Sequence, residues 1–144
     1  MSISSEINID LDPTYRPNED EEFMNEQQQA YFKKKLYEWR AQLLHESAET
    51  IHHLQQENTA EPDILDSAAN ETDRSLELRA RDRARKLINK IDDALLRIDD
   101  GSYGYCEETG EPIGLRRLEA RPIAIFTVEA QERHEKKERV YREE

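Results

Sequence analysis

The sequence predicts a mainly α chain built as a long antiparallel coiled-coil hairpin, a small globular head and a C-terminal helix. Three observations point there. Two long proline-free runs of helical apolar periodicity flank a short connector, ENTAEPDILDSAAN over residues 57–70, whose Pro62 is the only proline between Pro17 and Pro112. All four glycines and two of the five prolines fall together in residues 101–126, where the helical pattern stops. Hydrophobic residues make up 35% and charged residues 38% of the chain, against roughly 45–50% and about 25% in ordinary globular domains. That is too little apolar surface for a compact sphere of 144 residues, but it suits a rod that buries one stripe.

In chain order, residues 1–24 read as an acidic arm, partly docked. Eight Asp and Glu residues up to Glu26 face Arg16 alone, and Pro13 and Pro17 interrupt any regular element. Ile3, Ile7, Ile9 and Leu11 supply apolar contacts to the body. Asn25 is placed to N-cap a helix over 26–56, with Phe32, Leu36, Trp39, Leu43, Thr50 and Leu54 recurring at intervals of three, four or seven. At 1.5 Å per residue that helix is about 46 Å long. A return helix starts near Ser67 and runs to Asp100. Its stripe is Leu76, Ala80, Ala84, Leu87, Ile91, Ala94 or Leu95, and Ile98, with Ala80 and Ala84 admitting a close partner. A short link between two long helices makes them antiparallel, so residues 25–100 form the hairpin with its tip near 57–70. Gly101 suits the position just past the helix, where a left-handed backbone is needed.

Residues 101–144 form the head. GSYGYCEETGEPIGLRRLEARPIAIF reads as turns and short strands around Ile113, Leu115, Leu118, Ile123 and Phe126, and Val128–Arg142 as a terminal helix. About 44 residues rarely hold together without a metal, a disulfide or a docking partner.

A net charge of −12 argues against a surface that binds nucleic acid throughout. The charge is uneven: residues 74–97 hold eight basic and four acidic side chains, a local +4, leaving −16 for the rest. No apolar run approaches the roughly 18 residues that cross a bilayer, and no signal-peptide pattern opens the chain. A lone Cys106 excludes a disulfide framework within the chain, and the cytoplasm is the default compartment.

Asp63 and Asp66, three residues apart in the connector, have two compatible readings: one carboxylate caps the return helix while the other faces outward. No His, Cys, Lys or Ser–His pair accompanies them, so the tip is not an active site in its own right. Arg79, Arg83, Lys86 and Lys90 share one helical face. They serve either as a solvated face complementing acids on the first helix, or as an anion site toward which Arg116, Arg117 and Arg121 converge. GYCEETG has the look of a zinc knuckle, yet a structural zinc site needs about four N or S ligands. Cys106 has no second cysteine, and His134 is a lone candidate. His52 and His53 point in different directions and are expected to be solvated.

The segments DILDSAA, SLELRARDRARKLI, YGYC with IGLRRLEARP, and MNEQQQAYFKKKLYEWRAQL follow one another in an order that resembles the DksA/TraR family of bacterial transcription factors. The likeness extends from Met24 to Ala130. It implies a coiled coil projecting from a zinc-finger-like head, inserted into the secondary channel of RNA polymerase. It also implies joint action with ppGpp at promoters such as those for ribosomal RNA and amino-acid synthesis, by a monomer with no catalytic activity and no sequence-specific DNA contacts. The family's tip motif falls on Asp63, Asp66 and Ala68. Two basic positions of the alarmone site fall on Lys90 and Arg121, and a third falls on the neutral Gln131. The family's C-x2-C-x17-C-x2-C zinc pattern falls on Cys106, Thr109, Thr127 and Ala130, so the resemblance is to a cysteine-poor, zinc-independent member. Its head is then expected to be held by apolar side chains such as Ile123, Ile125, Phe126 and Val128. Two other classes remain: a transcript-cleavage factor, whose tip acids hold a catalytic metal, and a coiled-coil adaptor with a passive tip.

Overall fold

The computed structural model describes residues 11–57 and 64–143, with the side chains of 54, 57, 64–70 and 143 outside the description. It contains α1 (Glu26–Glu57), α2 (Ile64–Asp100), α3 (Leu115–Ala120) and α4 (Val128–Glu143). Two compact units emerge. One is formed by described residues of Met1–Leu36 together with Asp93–Glu144, the other by Tyr37–Asp92.

α1 begins where its capping chemistry says it should. Asn25 Oδ1 accepts the Gln28 N–H at 2.8 Å, and the Gln28 side chain turns back to accept the Met24 N–H at 2.8 Å. This is a capping box displaced by one residue, satisfying one donor that a helix start leaves orphaned and a second, on Met24, just ahead of the cap. It also explains why Gln28, a polar side chain, is fully buried. Met24 enters the cap with φ 56°, an uncommon conformation for a residue with a side chain. α2 begins three residues before the expected Ser67 and ends as expected. Gly101 takes φ 86°, and the Ser102 N–H returns to the Arg97 carbonyl at 3.0 Å, the six-to-one bond of a Schellman motif.

In the Tyr37–Asp92 unit the helices pair antiparallel. Arg40 Nε meets Asp92 Oδ1 at 2.7 Å and His53 Nδ1 meets Glu77 Oε1 at 2.8 Å. Thirteen residues forward on α1 thus correspond to fifteen back on α2. Leu43 and Ile91 are buried, while Trp39, Thr50, Ala84 and Leu87 are half-buried. The stripe fails at two expected positions. Leu76 is 56% exposed and Ala80 is also exposed. A pair of helices covers only a narrow seam, and here Glu77 occupies it, reaching across to His53. His53 is accordingly a cross-helix partner and not simply a solvated side chain. The second carboxylate oxygen of Glu77 is buried without a hydrogen bond among the described residues.

In the other unit, Phe32 and Leu36 of α1, Ala94, Leu95 and Ile98 of α2, and Tyr103, Ile113, Leu115, Leu118, Ile123, Ala124 and Ala130 are buried together with Met24. Lys33 Nζ, also buried, stands 3.9 Å from Asp99 Oδ1. The Tyr103 hydroxyl, carried into this core, donates to the Pro122 carbonyl at 2.7 Å, and burial pushes its ionisation above the ordinary range.

The expected short strands are absent from the described residues, where a single antiparallel bridge, Tyr105 with Pro112, is the only extended pairing. Residues 104–113 are instead a knuckle closed by its own backbone. Ile113 N–H bonds the Gly104 carbonyl, Cys106 N–H the Glu111 carbonyl, and Gly110 N–H the Cys106 carbonyl, each at 2.8 Å. The segment after it forms α3 where strands were expected, because Leu115 and Leu118 meet the core at helical spacing. Ile125 and Phe126 are half-buried. Val128 does not join the core: it is 47% exposed at the first position of α4, where Ala130 faces inward instead.

Candidate functional site

Candidate functional residues lie in three places. The tip is the first: Asp63 lies outside the described residues, while Asp66 and Ala68 fall within α2, and their side chains are outside the description.

The basic row is the second. Arg79, Arg83, Lys86 and Lys90 are all exposed on α2. At 100° per residue they lie within about 60° of one another around the axis and span about 16 Å along it. Among the described residues none of the four forms an ion pair. The cross-helix pairs go elsewhere, Arg40 to Asp92 and His53 to Glu77. The row is therefore a solvated face with no ion pair to a first-helix acid among the described residues. Four like charges in a row repel one another, so the row is an uncompensated surface suited to an anionic or acidic partner. It belongs to the Tyr37–Asp92 unit, whereas Arg116, Arg117, Arg121 and Gln131 belong to the other. Arg116 and Arg121 are exposed, Arg117 Nε donates to the Phe126 carbonyl at 2.8 Å, and half-buried Gln131 donates to Glu135 at 3.2 Å.

The third place is the knuckle. Cys106 is 3% exposed. Burial pushes its thiol up, but hydrogen bonds from the Thr109 side chain and from the backbone of Thr127, Thr109 and Glu108 outweigh this and bring it from 9.0 to about 7. The Thr127 hydroxyl accepts the Ala130 N–H at 3.2 Å, capping α4, and Ala130 is fully buried. The four positions of the zinc pattern thus hold one thiol, two hydroxyls already engaged with backbone or thiol, and a methyl group. That donor set does not fit zinc, and no group of three or more His, Cys, Asp or Glu occurs among the described residues. Other contacts hold this part together: Glu107 N–H bonds the Ile125 carbonyl at 2.9 Å, Glu108 meets Arg133 at 3.3 Å and His134 at 2.9 Å, and Phe126 stacks on His134 at 4.3 Å.

One network was not visible in the sequence. Glu119 Oε2 accepts the Tyr31 hydroxyl at 3.0 Å and Lys35 Nζ at 2.8 Å, while Lys35 Nζ also reaches the Glu119 carbonyl at 3.0 Å. Arg16 donates to the Tyr31 hydroxyl at 3.2 Å. Burial raises the Glu119 carboxyl, but the bonds from Lys35 and Tyr31 prevail and hold it below its ordinary value. Burial first, and then Glu119, raises the Tyr31 phenol. Glu119 lies more than eighty residues from Tyr31 and Lys35, beyond any spacing argument; the only local signal was Tyr31 and Lys35 sharing a helical face.

Comparison with known proteins matches these parts to one family. The profile described as "DnaK suppressor protein DksA, N-terminal domain" covers residues 28–98, and "Prokaryotic dksA/traR C4-type zinc finger" covers residues 101–136. The chain is 65% identical over 129 residues to the "RNA polymerase-binding transcription factor DksA" of Caulobacter vibrioides (strain NA1000 / CB15N), covering 90% of this chain and 91% of that one. It is 49% identical over 115 residues to the Escherichia coli (strain K12) protein of the same name, covering 80% and 76%. The solved structure of transcription factor DksA2 from Pseudomonas aeruginosa superposes with a TM-score of 0.75 at 43% identity, covering 81% of this chain and 90% of that one. With two family profiles spanning hairpin and head, and with relatives alike over most of their length, the chain belongs to the DksA/TraR family.

Proposed function

We propose that this chain is a transcription factor that binds RNA polymerase directly, entering by the secondary channel, and modulates initiation at rRNA and amino-acid promoters together with ppGpp. The observation that carries the reading is the 65% identity, over 90% of the chain, to a relative named as an RNA polymerase-binding transcription factor. The geometry supports it: an antiparallel helix pair carries on its flank a row of four cations that form no ion pair among the described residues. Asp63, Asp66 and Ala68 are the tip contacts in this reading, with Asp66 the principal one. Lys90 and Arg121, with neutral Gln131, take the alarmone together with polymerase, and Arg79, Arg83 and Lys86 extend the basic row. The chain acts as a cytoplasmic monomer without catalysis, zinc or sequence-specific DNA contacts; no described helix is long and apolar enough to cross a membrane.

The test is transcription in vitro from an rRNA-type promoter, with and without ppGpp, comparing wild type with Asp66→Asn. Amide for carboxylate keeps shape and removes charge. Retained polymerase affinity with a lost promoter effect is expected. An unchanged promoter effect reduces the tip to a passive role, and rapid transcript cleavage dependent on Asp63 or Asp66 replaces the regulator reading with a cleavage factor.

A further inference from the structure

α3 has six residues, too few to be stable alone, and its N-cap Gly114 offers no side-chain bond. Its place is therefore set from outside. Leu115 and Leu118 are buried beneath it, and Glu119 is gripped by α1 through the Tyr31 hydroxyl and through Lys35, which bonds both carboxylate and backbone carbonyl. The exposed products of this placement are Arg116 and Arg121, neither of which forms an ion pair among the described residues. That freedom needs explaining, because Arg116 and Glu119 stand at i and i+3, where opposite charges ordinarily pair. Lys35 and Tyr31 both hold the Glu119 Oε2, and Lys35 neutralises the charge that Arg116 would otherwise meet.

We infer that Tyr31 and Lys35 are positioning residues for a polyphosphate-binding edge on α3: by holding and neutralising Glu119 they fix the short helix, which carries Arg116 and Arg121 exposed for the anion. The inference rests on the reading that this factor acts with ppGpp. A guanidinium already paired to an internal carboxylate must break that pair before it meets phosphate, and an unneutralised Glu119 repels the phosphate as well. Lys35 removes both obstacles without touching the ligand. Arg16, donating to the Tyr31 hydroxyl, ties the acidic arm into the same grip.

The experiment titrates ppGpp against polymerase holoenzyme and the full-length factor on an rRNA-type promoter. It reads the half-maximal ppGpp concentration separately from the maximal response. Lys35→Met is expected to raise the half-maximal concentration roughly fivefold or more, Tyr31→Phe by a smaller factor in the same direction, and Lys35→Arg to restore it. Arg121→Ala tests the underlying reading. If Arg121→Ala raises the half-maximal concentration while Lys35→Met and Tyr31→Phe leave it unchanged, the positioning role is overturned and the ppGpp reading stands. If Arg121→Ala has no effect, the polyphosphate edge itself is wrong and the inference falls with it. Should Lys35→Met fail to fold, Tyr31→Phe, which removes one hydroxyl, decides the matter.

Discussion

Gly104→Ala is the substitution whose effect the structure specifies most closely. Gly104 is buried with φ 91°, and a Cβ built on it meets Met24 Cγ at 2.9 Å, Met24 Sδ at 3.3 Å and Phe23 Cζ at 3.3 Å. Gly110 has φ 76° with nothing within 4 Å, so Gly110→Ala isolates the backbone effect. That effect is about 1–2 kcal/mol for the left-handed conformation, offset by about 0.4–1 kcal/mol from a less flexible unfolded chain. Gly110→Ala should therefore destabilise by about 1 kcal/mol. At Gly104 overpacking adds about 1–3 kcal/mol. Met24 Cγ sits mid-chain on a buried side chain whose own backbone already has positive φ, so it has little room to retreat. Urea unfolding, followed by the near-ultraviolet signal of the head tyrosines, reads the difference as a lower midpoint at unchanged slope. Adding Met24→Ala to Gly104→Ala should show strong non-additivity, since the second change removes the obstacle to the first. Equal midpoints for the two glycine variants would refute the contact between the arm and the knuckle.

Two further outcomes are expected. Phe32→Ala, at a fully buried ring, should destabilise by about 3–5 kcal/mol, whereas Leu44→Ala, at an exposed leucine on the same helix, should stay within about 0.5 kcal/mol; comparable effects would contradict the inward face assigned to α1. The Cys106 thiol should titrate at about 7, as followed by thiolate ultraviolet absorbance, because the side chain is buried from alkylating agents. Because its folded value lies below the ordinary 9.0, its contribution to stability is fully present above 9.0 and is lost as pH falls through about 7. Cys106→Ser should abolish that slope and Thr109→Val should raise the thiol, while a zinc chelator should leave the near-ultraviolet signal unaltered; unfolding on chelation would show that a metal is present after all.

The hairpin was legible because its determinants are local. Asn25 caps, Gly101 terminates, and Phe32, Leu36, Ile91 and Ile98 repeat at helical spacing. Leu76 and Ala80 misled because spacing reveals periodicity but not how far a partner's cover extends; two helices shelter only a seam, and Glu77 claimed it for a polar pair. The head misread for the opposite reason. Glycines and prolines forecast turns correctly, but the choice between strand and helix for Leu115–Ala120 was made by the core beneath it. Glu119 and its partners lay beyond reach altogether, since a contact between residues 35 and 119 leaves no trace in local pattern. The departure from the zinc motif, by contrast, could be read position by position, and the structure adds what the threonines do instead.

The register that sets Arg40 against Asp92 and His53 against Glu77 has a consequence for how such a chain can change length. A single residue deleted from α1 would turn everything between the deletion and the link by about 100°, moving the buried row out of the seam. Deletions that preserve the seam must be matched on both helices, and seven residues from each comes closest to whole turns. That would shorten the pair by about 10 Å while leaving every inward position inward. Length in this architecture is therefore altered in steps, two helices at a time.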